Sequence, residues 1–192
     1  IALDSNDYPH ISYYTTSTVP QADGLSYSYK DGTGWHNEGY IDGGEALSNI
    51  GTYTSIELDS NDYPRISYFS ATGGNLKYCY KDGSGWHASI IDETDNIGLW
   101  TSLKLDDNGY PHISYYDSTN TNLKYIYQNE TGWYPSTICS TGNTGKYSSI
   151  TLGTLSFSFY MNDIYPPELH TVDVAPDPQE VHNYVNITCT AT

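Results

Sequence analysis

Arginine occurs once in these 192 residues, as Arg65, methionine once and phenylalanine three times. Basic side chains number 7 against 23 acidic ones, a net charge of −16. A surface of that sign repels phosphate backbones and anionic headgroups, which argues against nucleic acid and membrane surfaces as partners. No apolar run approaches the ~18 residues of a membrane-spanning helix. Neither Met nor a signal-type segment opens the chain, so it reads as a mature product, an excised piece or the ordered part of something longer. Cysteine is limited to Cys79, Cys139 and Cys189, with no CxxC pair, which argues against a zinc site. No stretch carries the periodicity of an amphipathic helix.

Tyrosine takes the place of the missing apolar bulk, with 21 copies. Its ring buries well while its hydroxyl reaches water, which suits thin packed sheets better than a deep aliphatic core. Many of these tyrosines belong to a repeated phrase. LDSNDYPHISYY begins at Leu3, LDSNDYPRISYF at Leu58 and LDDNGYPHISYY at Leu105. Each is followed by a second phrase, KDGTGWH ending at His36, KDGSGWH ending at His87 and QNETGWY ending at Tyr134. Leu58, Leu105 and Leu152 are spaced by 47 residues, while Leu3 lies 55 before Leu58. The first unit therefore carries extra residues around Thr18 to Asp23 and Gly43 to Ser48, which are expected to fall in loops. A fourth unit opens at Ile150, with Phe157 to Tyr160 where ISYY would stand.

Within a unit the alternation has period two. Ile56 and Leu58 flank Glu57, Ile66 and Tyr68 flank Ser67, and Leu76, Tyr78 and Tyr80 alternate with Lys77 and Cys79. Asp59-Ser60-Asn61-Asp62, Gly73-Gly74 and Asp82-Gly83-Ser84-Gly85 supply the turns between them. Four short strands per 47 residues is the measure of a propeller blade. The expected fold is all-β, an array of four-stranded blades with units at 1–55, 56–102 and 103–149, a partial fourth at 150–160, and a tail, 161–192, with two strands at Leu169 to Val174 and Tyr184 to Thr190.

On the motifs LDSNDYPHISYY and LSYSYKDGTGWH and their later copies, residues 1 to 160 resemble the Tyr-rich β-propeller repeats of archaeal and bacterial secreted and cell-surface proteins. KDGSGW is also similar to the Asp-box hairpin of sialidase-type propellers, which implies a structural role for its Asp and Trp. The tail ELHTVDVAPDPQEVHNYVNITCTAT resembles the opening of an immunoglobulin-like module. Three and a half blades fall short of the ~4 to 8 of a closed propeller. The chain is then a piece of a larger ring, or its tail completes the fourth blade, or a second copy donates the missing strands.

Candidate chemistry is sparse. The acidic turns starting at Asp4, Asp59 and Asp106 could hold Ca²⁺, but Gly109 replaces the last acid in the third, as a tight turn prefers, and a structural reading comes first. His10 and His112 share a slot with Arg65, and His36 and His87 share another with Tyr134; equivalent positions of successive blades should lie far apart, which gives these residues edge or surface roles. A sialidase-like active site needs clustered guanidinium groups, and a single arginine cannot supply them. No catalytic, cofactor or metal residues are therefore assigned. Asn129-Glu130-Thr131 and Asn186-Ile187-Thr188 are glycosylation acceptors, which favour an extracellular location. Trp35, Trp86 and Trp133 are candidates for stacking on sugars, although a Trp at one fixed slot in every copy suits inter-blade packing better.

The sequence thus reads as a non-enzymatic extracellular protein with a structural or adhesive role. Self-association with other copies through residues 161–192 is one expectation, and a carbohydrate-binding, lectin-like propeller is the alternative.

Overall fold

The computed structural model describes residues 1–18, 21–45, 49–94, 96–153 and, by backbone, 184–187. Strands β1 (Ala2–Leu3), β2 (Pro9–Thr18), β3 (Gln21–Asp31) and β4 (Gly34–Glu45) form the first antiparallel sheet. The second consists of β5 (Ile50–Leu58), β6 (Pro64–Ser70), β7 (Asn75–Asp82) and β8 (Gly85–Asp92). The third consists of β9 (Ile97–Leu105), β10 (Pro111–Asp117), β11 (Asn122–Asn129) and β12 (Gly132–Cys139). Each sheet is a meander in chain order, as two-to-five-residue turns require. The described residues form no helix, and the fold is the all-β, propeller-like array of four-stranded blades that the repeat implies. No helix here is long and apolar enough to cross a membrane.

The sheets stack face to face, and their first strands abut, β1 on β5, β5 on β9 and β9 on the strand that follows the third sheet. Hydrophobic cores fill the spaces between sheets. Leu25 and Tyr27 of the first sheet meet Ile56, Ile66, Tyr68 and Cys79 of the second, with Trp86 against them. Leu76 and Tyr78 of the second meet Leu103, Ile113, Tyr115 and Ile126 of the third, with Trp133 against them. The period-two alternation sends one set of side chains forward and the other back, so every interior blade contributes to two cores.

Polar anchors repeat with the apolar ones. Tyr68 Oη donates to Asp42 Oδ2 at 2.6 Å, and Lys77 pairs with the same oxygen. One sheet further, Tyr115 Oη donates to Asp92 Oδ2 at 2.6 Å and Lys124 lies 2.8 Å from it. The Asp belongs to the last strand of one blade, the Tyr and Lys to the middle strands of the next.

Two expectations need correction. The described extra residues of the first unit do not form loops: β2 and β3 pair out to Thr18 and Gln21 and β4 continues to Glu45, so this part of the insertion lengthens strands instead, while 19–20 and 46–48 lie outside the described residues. His10 and His112 are not surface residues, being only 7% and 8% exposed, because each ring shares a hydrogen bond with a buried tyrosine hydroxyl.

The fourth unit begins as expected with β13 (Ile150–Gly153), seated on the third sheet. Its partner is β14 (Tyr184–Ile187) from the tail. Ile187 lies opposite Ile150 just as Ile113 lies opposite Leu103 and Ile66 opposite Ile56. Within this chain, the tail strand thus occupies the second-strand position of a fourth blade. The expected strand Leu169 to Val174, the segment Phe157 to Tyr160, Cys189 and the proposed immunoglobulin-like opening beyond β14 lie outside the described residues.

Candidate functional site

A second motif repeats at the start of the inner strands: Asn49-Ile50-Gly51-Thr52-Tyr53-Thr54-Ser55, Asn96-Ile97-Gly98-Leu99-Trp100-Thr101-Ser102 and Asn143-Thr144-Gly145-Lys146-Tyr147-Ser148-Ser149. The glycine is dictated by packing. A Cβ on Gly51, Gly98 or Gly145 would lie 2.5, 2.8 or 2.7 Å from the Cα of Leu25, Leu76 or Leu123 on the preceding sheet. Two residues later the chain bulges, with Tyr53-Thr54 opposite Tyr68 alone, and Trp100-Thr101 opposite Tyr115 alone. The first bulge residue is left-handed, with φ of 54° at Tyr53 and 51° at Trp100, and Tyr147 has 57° in the third copy. For a bulky aromatic that conformation is strained, and bulges characteristically re-aim a side chain.

The residue after the aromatic pins each bulge to the preceding sheet. Thr101 Oγ1 donates to the Tyr53 carbonyl at 2.8 Å and accepts from Ser67 Oγ at 2.9 Å. Thr54 bonds Ser12, and Ser148 bonds Ser114, in the same way. The aromatics are thereby turned out of the cores and toward one another. Tyr53 and Trp100 have ring centroids 5.1 Å apart, and Trp100 and Tyr147 5.0 Å. The rings lean at 56° and 55°, tilted against one another and not stacked. Phe69 flanks Tyr53, and Tyr116 flanks Trp100. Lys146 Nζ lies 5.9 Å from the Trp100 ring centre and 5.6 Å from that of Tyr116. Tyr53 is 42% exposed and Tyr147 78%, in contrast to the wholly buried Tyr68 and Tyr115 of the cores.

Amides line the same edge. Tyr14 Oη donates to Asn49 Oδ1 and Tyr116 Oη to Asn143 Oδ1, while Asn96 donates to Ser118. The result is an aromatic ladder with amide and hydroxyl groups beside it and one cation at its far end. Chemically, it offers apolar ring faces with neutral hydrogen-bonding groups.

The residues singled out from sequence fall elsewhere. Trp86 and Trp133 are half-buried in the inter-sheet spaces, edge-on to Tyr27 and Tyr78. Trp35, the equivalent residue of the first sheet, is 58% exposed. Asn129 sits in the β11–β12 turn with its Oδ1 accepting from Thr131 N and Oγ1. Asp31 and Asp82 hold the matching turns through Thr33 and Ser84, and His36 and His87 close against those carboxylates. These bonds hold Asp31 below the ordinary carboxylate range and bring Asp82 down to about 2. Asp4, Asp59 and Asp106 likewise accept backbone N–H groups from their own turns, at residues two and four ahead. For Asn186, only the backbone pairing with Thr151 is described.

The ladder was legible as a third repeated phrase at the 47-residue spacing, N-x-G-x-aromatic-[ST]-S. Spacing alone does not reveal it, because equivalent positions of successive blades are expected to lie far apart. That holds for the outer strands, whereas the abutting inner strands bring equivalents together.

Among known proteins, no family model matches the chain and no curated protein matches it. Solved structures to which the chain is similar include two that differ in extent. A fucose lectin from Kordia zhangzhouensis, in complex with methyl-fucoside, is 19% identical over 70% of this chain and 94% of its own, with a TM-score of 0.48. A protein of unknown function from Dyadobacter fermentans is 10% identical over 77% of this chain and 43% of its own, with a TM-score of 0.53.

Proposed function

We propose that this is an extracellular carbohydrate-binding protein without enzymatic activity, and that the ladder Tyr53–Trp100–Tyr147 is its glycan-contacting surface. The observation that carries the reading is a repeated backbone distortion. Three bulky residues in strained left-handed conformations present their rings outside the cores, and such strain is retained where it serves a surface. Pyranose rings stack their C–H faces on aromatic rings, while amides and hydroxyls meet sugar hydroxyls. A ladder of three rings from three blades would bind several residues of one chain and gain affinity by multivalency. Aromatic ladders also stack nucleobases, but those sites need a positive groove, and a net charge of −16 opposes it. Carboxylates that could serve acid–base chemistry are instead engaged in turns and inter-sheet anchors, which supports a binding role.

The test is a glycan array followed by titration of bound sugars, methyl-fucoside among the probes, against tryptophan fluorescence. Saturable binding that Trp100→Ala abolishes and Trp35→Ala leaves intact is the expected outcome. Loss with Trp35→Ala alone would move the site to the hairpin tip, and no saturable binding to any glycan would end the reading. A structural or adhesive role through self-association is the second reading, favoured by the exposed face of the first sheet.

A further inference from the structure

The first sheet presents half of an inter-sheet joint. In the second and third sheets, the backward-facing slots are filled by Ile56, Ile66, Tyr68 and Cys79, and by Leu103, Ile113, Tyr115 and Ile126, none more than 4% exposed. Their equivalents in the first sheet are Ile1, Ile11, Tyr13 and Ser28. Ile1 is 78% exposed, and the other three are only partly buried. Trp35 stands on the same face, where Trp86 and Trp133 each find a tyrosine of the preceding sheet. Tyr13 Oη, with no preceding Asp to reach, bonds Ser28 of its own sheet at 2.9 Å instead.

The charges at this face identify its partner. Lys77 and Lys124 occupy the strand position facing Tyr68 and Tyr115; in the first sheet that position, facing Tyr13, is Ser26. On the opposite side, Asp42 and Asp92 pair across β3–β4 and β7–β8 with Leu25 and Leu76; in the third sheet the position paired with Leu123 is Cys139. The Lys is missing from the first sheet's backward face, where Ser26 is only 2% exposed, and the Asp from the third sheet's forward face. Of the forward faces of the three described four-stranded sheets, the third's alone could meet the first sheet without burying an unpaired carboxylate, an arrangement that costs heavily.

The third sheet also carries the strand such a joint needs. β13 repeats the position of β1: Leu152 lies opposite Val185 as Leu3 lies opposite Pro9. Ile150 N donates to Ser102 Oγ at 3.1 Å, as Leu103 N does to Ser55 Oγ, so β13 is seated as the inner strand of a next blade.

We propose that two copies of this chain join head to tail, the first sheet of one completing the blade that β13 begins on the other, with β2 taking the position that β14 holds within a single copy. Trp35 then meets Tyr125, a ring only 4% exposed within a single copy and so uncovered by the exchange, and Ser26 lies against Cys139. The exchange of equivalent strands makes the joint concentration-dependent. It stands independently of carbohydrate binding.

Light scattering and sedimentation of the full chain over a dilution series test it, with circular dichroism and the thermal midpoint confirming the fold of each variant. Mass rising with concentration is expected. Trp35→Ala weakens association, and Cys139→Asp, by placing a carboxylate opposite Ser26, weakens it about a hundredfold or more. Adding Ser26→Lys to Cys139→Asp rebuilds the pair used at both interior joints and restores association. A chain monomeric at every concentration, including one whose Trp35 is shielded by closure on its own fourth blade, overturns the proposal. So does an oligomer indifferent to Cys139→Asp, or one that Ser26→Lys fails to rescue.

Discussion

His10 and His112 show how much a single slot can matter. His10 Nδ1 shares a hydrogen bond with Tyr27 Oη at 2.5 Å and His112 Nδ1 with Tyr125 Oη at 2.6 Å, and both rings stack on a second tyrosine. Burial lowers both imidazole pKa values below 6.5, against the opposing pull of Asp4 and Asp106. As pH falls below 6.5, the unfolded chain takes up protons that the folded one refuses, so stability declines until the folded pKa values are passed. Below about 4, a second decline begins. Burial raises the Asp4, Asp59 and Asp92 carboxyl pKa values, but their hydrogen bonds outweigh it and leave all three lowered, so protonation costs stability there too. A thermal midpoint followed from pH 8 to pH 3 should show both declines, and His112→Gln should flatten the first; an unchanged profile would remove histidine from the account. Gly98 tests packing at the same scale. Gly98→Ala puts a Cβ against Leu76 at a φ of 99°, and should cost about 3 kcal/mol in a denaturant titration, whereas Gly83→Ala, with open space around it, should cost little.

At the scale of strands and hairpins, the two repeated phrases have separate tasks. LDSNDYP is a turn whose first Asp accepts N–H groups and whose fifth residue is left-handed, with φ of 64° at Asp7, 62° at Asp62 and 81° at Gly109. The KDGSGW hairpin places Trp86 across the inter-sheet space, where its Nε1 donates to Glu38 at 2.8 Å and its ring meets Tyr27. Trp86→Ala and Trp133→Ala should therefore each lower stability by about 3 kcal/mol, while Trp35→Ala, measured at a concentration where the chain is monomeric, should change it by less than about 0.5. Equal effects for all three would mean that Trp35 has a covering partner. These elements were readable because period-two alternation and turn residues act locally, over a few positions. The strand extension in the first unit was not readable: Thr18 and Gln21 to Asp23 look like loop residues in isolation and become strand only because β2 and β3 continue to pair. The bulges at Tyr53 and Trp100 were hidden for a related reason, since a two-against-one pairing depends on the opposing strand and leaves no mark on alternation within its own.

For the whole molecule, the balance between repulsion and pairing is decided by where the charges sit. Part of the negative charge among the described residues sits in exposed turns, as at Asp31 and Asp82 with 42% and 43% side-chain exposure, where dissolved salt screens it effectively. The pairs that lock sheet to sheet are more sheltered: side-chain exposure is 15% and 18% for Lys77 and Asp42, and 12% and 4% for Lys124 and Asp92. Screening should therefore relieve the repulsion within a chain of net charge −16 more than it weakens these anchors. Raising NaCl from 10 to 150 mM shortens the Debye length from about 30 to about 8 Å, which reaches between surface turns but hardly into the inter-sheet spaces. The expected result is a thermal midpoint that rises with salt at pH 7. Lys124→Met should lower the midpoint without removing that rise, because Asp92 would be left with Tyr115 and Thr94 alone while the surface field stayed in place. A midpoint that falls with salt would mean that the ion pairs, rather than the apolar cores between sheets, hold the array together.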